Sequence, residues 1–226
     1  MGLIFLGVLP SFGWLVFYLS EDALHPEPRK LIIETFVAGA ISTVFVLQAQ
    51  IWLDGWSQQY FAVYSFPVLI LFASAEEILK FAAAYLVMGG RKELDEPVDA
   101  MIYPIVAALG FAAVENVASI LKASGGLAGV GPLETVTLRF VGATLLHTLT
   151  SGLVGYYWGR AMVQRSHHFS TIFLAIVAAT LLHALFNHLI LNWESIAIPM
   201  TFLTVVSFFI LNDFEKLKRI NSNMVK

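Results

Sequence analysis

The segment Ala75-Glu76-Glu77-Ile78-Leu79-Lys80 sets three ionisable side chains inside an apolar run that extends from about Tyr60 to Met88. That run is long enough to cross a bilayer, for which about 20 apolar residues suffice. A charge at bilayer depth costs at least about 2.5–3.5 kcal/mol on insertion scales, so such residues face a protein interior and serve a purpose there. Two carboxylates with one lysine nearby occupy unequal environments, which is how one carboxyl becomes an acid and its neighbour a base. At about 100° per residue Lys80 falls angularly between Glu76 and Glu77 and can pair with either.

Three later apolar runs repeat the theme. One carries Glu115 and Asn116, the next His147, and the third His183 with Asn187 one turn further on. Peptide hydrolysis needs a base for water, an electrophile for the carbonyl oxygen and a proton donor for the leaving amine. Carboxylates and imidazoles converging inside a bundle provide all three. His183 and Asn187 share a helix face, a spacing that suits a metal ligand with its orienting neighbour or a pair of oxyanion donors. Each residue alone has a plainer reading: a Glu–Lys pair that fixes packing, a Glu–Asn pair that joins helices, a hydrogen-bonded core histidine. Four helices bringing polar groups together weigh against reading all of them that way. Thr150 and Ser151, three and four residues after His147 on the same helix, read as packing residues. So do Gly152, Gly155 and Gly159, while Gly110, Ala112, Ala113 and Ala118 allow a neighbouring helix to come close. His188 reads as structural, and His25, His167 and His168 as solvated loop residues. Glu34 and Asp99 are expected in the first turns of their helices, where a carboxylate complements the dipole.

The elements that must hold these residues follow from composition. The chain has 226 residues, 58% hydrophobic and 13% charged, with a mean hydropathy of +0.77. Soluble domains carry about 25% charged residues, so this is a polytopic membrane protein. The net charge of −3 and the lack of a basic arm point away from nucleic acid. Absence of cysteine excludes disulfides and thiolate chemistry. The first 20 residues lack a basic leader and a small-residue cleavage site, and read as a retained span.

Apolar runs fall at about 3–20, 31–53, 60–88, 98–121, 136–160, 170–191 and 195–212. Runs this continuous are helices in a bilayer. The expected fold is all-α, a transmembrane bundle of about seven spans forming one integral-membrane domain over 1–226, with a catalytic core at about 60–192. Pro67 and Pro104 are expected to kink single spans. Arg29 and Lys30, Arg91 and Lys92, Arg160 and Arg165, and Lys216, Lys218 and Arg219 mark alternate connections, whereas 54–59 and 191–195 carry no Lys or Arg. The positive-inside rule puts the N-terminus outside and the C-terminus in the cytoplasm. Trp52, Trp56, Tyr60 and Trp193 then form an outer aromatic belt.

These residues, in this order, resemble the PrsW family of intramembrane proteases. The shared pattern is Glu76-Glu77-Ile78-Leu79-Lys80, Asp99 to Tyr103, Gly110-Phe111 to Glu115-Asn116, then His147 and His183 on two further spans. The resemblance covers about 65–195. The family is similar to the type II CAAX prenyl endopeptidases, which have a histidine at the position of Glu115, and to a scaffold subunit of γ-secretase. The resemblance implies that Glu76 is the base that activates water, supported by Glu77 and held by Lys80. Glu115, with Asn116 beside it, takes the second catalytic or ligand position. His147 and His183, with Asn187, bind metal or polarise the scissile carbonyl. The implied activity is endoproteolysis of membrane-anchored proteins, such as the first cut in a single-span anti-sigma factor.

Zinc is the metal that imidazole and carboxylate ligands suit, drawn from His147, His183 and one of Glu76, Glu77 or Glu115. Glu115 is the carboxylate expected in that set. No His-Glu-x-x-His helix occurs, and a metal-free mechanism with His183 and Asn187 on the oxyanion stands beside the zinc one. Two non-hydrolytic readings also stand: a scaffold subunit whose polar core only packs helices, and an ion-coupled transporter. Against the latter, no internal repeat or pair of broken helices is visible.

Overall fold

A computed structural model describes residues 2–21, 26–126, 129–164 and 168–224. In chain order they form α1 (Gly2–Glu21), α2 (Arg29–Ser57), α3 (Phe66–Met88), α4 (Asp99–Ser124), α5 (Pro132–Arg139), a π-turn (Phe140–Thr144), α6 (Leu145–Gln164), α7 (His168–Asn192) and α8 (Ala197–Met224). Because α5, the π-turn and α6 run on without a break, the chain makes seven helical rods, and no strand occurs among the described residues. Among the described residues, five helices are long and apolar enough to cross a membrane: α1, α2, α4, α7 and α8. α3 and α6 fall short because Glu76, Glu77 and Lys80 sit in one, and His147, Thr148, Thr150 and Ser151 in the other. Both are lodged against other helices, with those polar side chains buried. The architecture is a multi-pass helical membrane bundle.

α4 is its axis. Of its apolar window 67% is buried, against 22–33% for the other four apolar helices. α1, α2 and α6 pack directly on α4, α3 bridges α2 and α7, and α8 closes over α6. Without water to drive apolar surfaces together, membrane helices associate where small residues let backbones touch. A Cβ at Gly39 would strike the Ala107 carbonyl and one at Gly110 the Phe36 carbonyl, so α2 and α4 meet backbone to backbone. Gly155 and Gly159 do the same for α6, against Ala100 and Pro97. The expected packing role of Gly110, Gly155 and Gly159 holds.

Four details differ from expectation. Residues 60–65 are turn rather than helix, with Tyr64 in the left-handed region at φ 58°. Pro67 therefore stands in the first turn of α3, where its missing N–H is no loss, and starts the helix rather than kinking it. α2 begins at Arg29, which moves Glu34 out of the first turn; it pairs instead with Arg91 at 3.3 Å and Lys30 at 3.7 Å. α8 runs well past residue 212 into a polar stretch, held by Lys218 to Glu21 at 2.7 Å. Trp52, Trp56, Tyr60 and Trp193 are all exposed, as a belt requires.

Candidate active site

α3 presents its charged face inward: Glu76, Glu77 and Lys80 are all buried. Of the two carboxylates, the lysine takes Glu77, donating to Oε1 at 2.7 Å. A buried ion pair survives only when further hydrogen bonds satisfy it. Here the Thr150 hydroxyl lies 3.2 Å from the same oxygen, and the His183 Nδ1 lies 2.6 Å from it. Lys80 Nζ also sits 5.6 Å from the centre of the Phe111 ring and 3.0 Å from His147 Nδ1.

The two imidazoles come from α6 and α7, their ring centroids 5.2 Å apart. Their protonation follows from their partners. A carboxylate only accepts, so His183 Nδ1 carries its proton towards Glu77, and Nε2 keeps a lone pair 3.6 Å from Glu76 Oε2. An ammonium only donates, so His147 Nδ1 accepts from Lys80 and Nε2–H is given to Glu115 Oε2 at 2.9 Å. Each ring thus has one nitrogen tied to a carboxylate behind it, while the other faces Lys80 in His147 and Glu76 in His183.

Glu76 takes a different partner from Glu77, although each keeps one buried carboxylate oxygen without a hydrogen bond. Its Oε1 accepts from the Gln50 amide on α2 at 2.8 Å, while Oε2 is buried with no hydrogen-bond partner. Ligand atoms of Glu76, His147 and His183 all lie within 4.8 Å of one another. Two imidazoles and one carboxylate, with Glu77 and Glu115 standing behind the imidazoles, are side chains that could hold a metal ion. The orphaned Oε2 is the acceptor that such an ion would satisfy, so the residues present fit a metal. The carboxylate in the converging set is Glu76. Glu115 lies one step out, on His147 and on Arg139 Nη2 at 3.0 Å. It is also the most open carboxylate of the cluster, 30% exposed against 9% for Glu76 and 1% for Glu77.

Asn116 receives the Arg139 Nε–H and donates to Thr144 at 3.1 Å, tying α4 to the π-turn. Asn187 is half-buried, and its amide makes no hydrogen bond among the described residues. Asp99 and Tyr103 serve the start of α4: Asp99 accepts the Glu96 N–H at 2.8 Å and the Tyr103 hydroxyl donates to Glu27. His188 lies against Phe66 and pairs with Asn192, a structural role. His25, His167 and the side chain of His168 lie outside the described residues.

Two contributors escape a reading of the sequence. Gln50 belongs to a Gln48-Ala49-Gln50 interruption late in a long apolar span, and Arg139 stands inside the run that begins near 136. Both are polar residues at membrane depth, the signal that singles out Glu76. A cleft of about 420 Å³ lies against Gln50, between α2 and the start of α3, lined among others by Asp54, Tyr64 and Phe72.

Residues 27–212 match the model of the PrsW family of intramembrane metalloproteases. The chain belongs to that family. Relatives named Protease PrsW include one from Oceanobacillus iheyensis, 24% identical over 219 residues that span 97% of this chain and 96% of the relative. A second, from Halalkalibacterium halodurans, is 26% identical over 83% of this chain and 82% of the relative. A third, from Geobacillus kaustophilus, is 28% identical over 70% of this chain and 66% of the relative. No solved structure matches the chain. Membership of the family makes the chain an intramembrane protease, and it places every charged residue of the α3 to α7 cluster within the matched stretch.

Proposed function

We propose that the chain cuts peptide bonds of membrane-anchored proteins with water activated at Glu76, in a centre completed by His147 and His183. The observation that carries this is the convergence of those three side chains around a buried, unpartnered carboxylate oxygen. Gln50 fixes Oε1, which leaves Oε2 to take a proton from water as the water oxygen adds to the scissile carbonyl carbon. Glu77 sets the tautomer of His183, and Glu115 sets that of His147. Lys80 neutralises Glu77, so the centre carries less uncompensated charge in the bilayer. The uncommitted amide of Asn187, one turn from His183, is our choice of oxyanion donor. When the carbon–nitrogen bond breaks, the proton held at Glu76 returns to the leaving amine.

Glu76, His147 and His183 are also the groups that would hold a divalent ion, with Glu76 then a ligand rather than the base; the ion would polarise the carbonyl and make the water a stronger acid. Zinc suits the set. Elemental analysis of purified, active protein is expected to find about one zinc per chain, as three protein ligands and one open position imply. Chelation is expected to stop cleavage and zinc to restore it. Full activity at far below one metal per chain would leave the carboxylate–imidazole mechanism without an ion.

The substrate class is a single-span membrane protein, with an anti-sigma factor as the case the family resemblance suggests. Purified protein is incubated with such proteins in detergent or vesicles, beside a Glu76→Gln control. Cleavage by both alike would overturn the assignment. The orientation we propose has the 89–97 and 160–168 connections in the cytoplasm and the 54–59 and 123–131 connections outside, from the alternation of Lys and Arg. Since the chain has no cysteine, single cysteines at Gln58 and Lys92 report it cleanly. Impermeant maleimide on intact cells is expected to label position 58 and spare position 92; the reverse pattern inverts the topology.

A further inference from the structure

Arg139 is the last residue before the π-turn, 19% exposed, and its guanidinium reaches two acceptors on consecutive residues of α4. Nη2 donates to Glu115 Oε2 at 3.0 Å and Nε to Asn116 Oδ1. The same Glu115 oxygen accepts the His147 Nε2–H at 2.9 Å. Arg139 and His147 thus meet at one atom, although eight positions of one continuous rod separate them.

In a regular α-helix the two side chains would line up less well. At about 100° per residue, eight positions rotate the chain by about 800°, so the two side chains would point about 80° apart. A π-turn accommodates one extra residue and sets the following face back by about 100°, which leaves the two only about 20° apart. Thr144, inside the π-turn, joins the same face and bonds Asn116. Wide turns of this kind are frequent at functional sites. An arginine suits the place as lysine does not, because its planar fork bonds two fixed acceptors at once.

We propose that Arg139 is a positioning residue of the centre, brought into it by the π-turn and acting through Glu115 on the imidazole of His147. By holding Glu115 against Nε2, it fixes the bond that the His147 Nε2–H makes and the orientation of the ring, whose Nδ1 accepts from Lys80. The inference rests on His147 belonging to the working centre described above, but its first test needs no substrate.

Nitrogen NMR of the purified full chain labelled in histidine reads the tautomer directly, with the His147 signals assigned by their loss in His147→Gln. The expected spectrum has His147 protonated at Nε2. In Arg139→Gln, with Lys80 still donating to Nδ1, the Nε2–H signal is expected to shift and broaden as its bond to Glu115 loosens. Arg139→Lys keeps the charge but not the fork and is expected to fall between; it carries the same test should the Gln variant fold poorly. Cleavage of a single-span test protein is expected to fall about 10–100-fold in kcat for Arg139→Gln, the range usual for groups that orient a metal-site or catalytic imidazole, with KM unchanged. On a Glu115→Gln background the same replacement is expected to do little more, since its route of action is already cut. An unchanged His147 Nε2–H signal in both Arg139 variants, or a full additional loss on the Glu115→Gln background, overturns the proposal. Wild-type protein that shows the Nε2 tautomer but never cleaves would instead overturn the hydrolytic reading and leave the positioning role standing.

Discussion

Glu76→Gln is expected to abolish measurable cleavage, lowering the rate by about 10²–10⁴-fold, the usual contribution of a positioned base. The bundle should remain intact. Glutamine matches glutamate in volume, and its amide oxygen can still accept from Gln50, which holds Oε1 at 2.8 Å in the native protein. Its nitrogen then occupies the position of Oε2, 3.6 Å from a nitrogen of His183 that keeps a lone pair. No buried group loses a partner, so thermal stability in detergent should match the parent. What disappears is a carboxylate oxygen facing His183 that nothing in the protein satisfies. Glu77→Gln makes the contrast. That carboxylate receives Lys80, His183 and the Thr150 hydroxyl at one oxygen. Neutralising it leaves a buried ammonium without a counter-charge, so both activity and stability should fall. Two adjacent glutamates with opposite stability phenotypes would separate chemistry from scaffolding. Full cleavage by Glu76→Gln would remove Glu76 from the chemistry altogether, and loss of fold in that variant would argue that its carboxylate is structural.

Much of this arrangement is legible in the sequence because a bilayer penalises polar residues so heavily. Glu76, Glu77, Lys80, Glu115, His147 and His183 each interrupt an apolar run, and all six meet in the folded chain. Span positions were legible for the same reason, since long apolar runs have one way to satisfy their backbone in lipid. The pairing within the cluster was not. Lys80 lies angularly between Glu76 and Glu77, and only the position of α6 and α7 decides that it takes Glu77 and His147. Gln50 is placed by tertiary packing of α2 on α3, which no periodicity encodes. Arg139 was hidden by a second effect. The π-turn between it and His147 breaks the 3.6-residue period, so helical-wheel arithmetic sets the two about 80° apart rather than in line. Short turns such as 60–65 are lost in an apolar run because Tyr, Phe, Ala and Val there carry no punctuation until Ser65 and Pro67.

Lys80→Met should be the most damaging single change to the stability of the centre. Lys80 is fully buried, and Met fills the space of its stem without supplying a charge. Its removal strips Glu77 of its cation and leaves a carboxylate in a low-dielectric interior, with only His183 and a hydroxyl to answer it. Breaking a buried pair from one side costs about 3–5 kcal/mol, a large share of the stability of any domain. His147 loses its Nδ1 donor in the same step, which frees the ring to change tautomer, so cleavage should fall along with the melting temperature. Lys80→Arg keeps the charge but must place a larger, planar group where no space is exposed, and should lose less than Met. The deciding variant is the double Lys80→Met, Glu77→Gln. If the pair is held by its charges, removing both should restore much of the stability lost in either single variant, because no ion is then left buried alone. Activity should not return with it, since His183 then lacks a charged carboxylate behind its Nδ1–H and His147 lacks the Lys80 donor. Thermal denaturation of the four proteins in one detergent measures the coupling. A double variant as unstable as the sum of the singles would mean that Lys80 and Glu77 contribute independently, and that the close contact between them is not what holds α3 to α6 and α7.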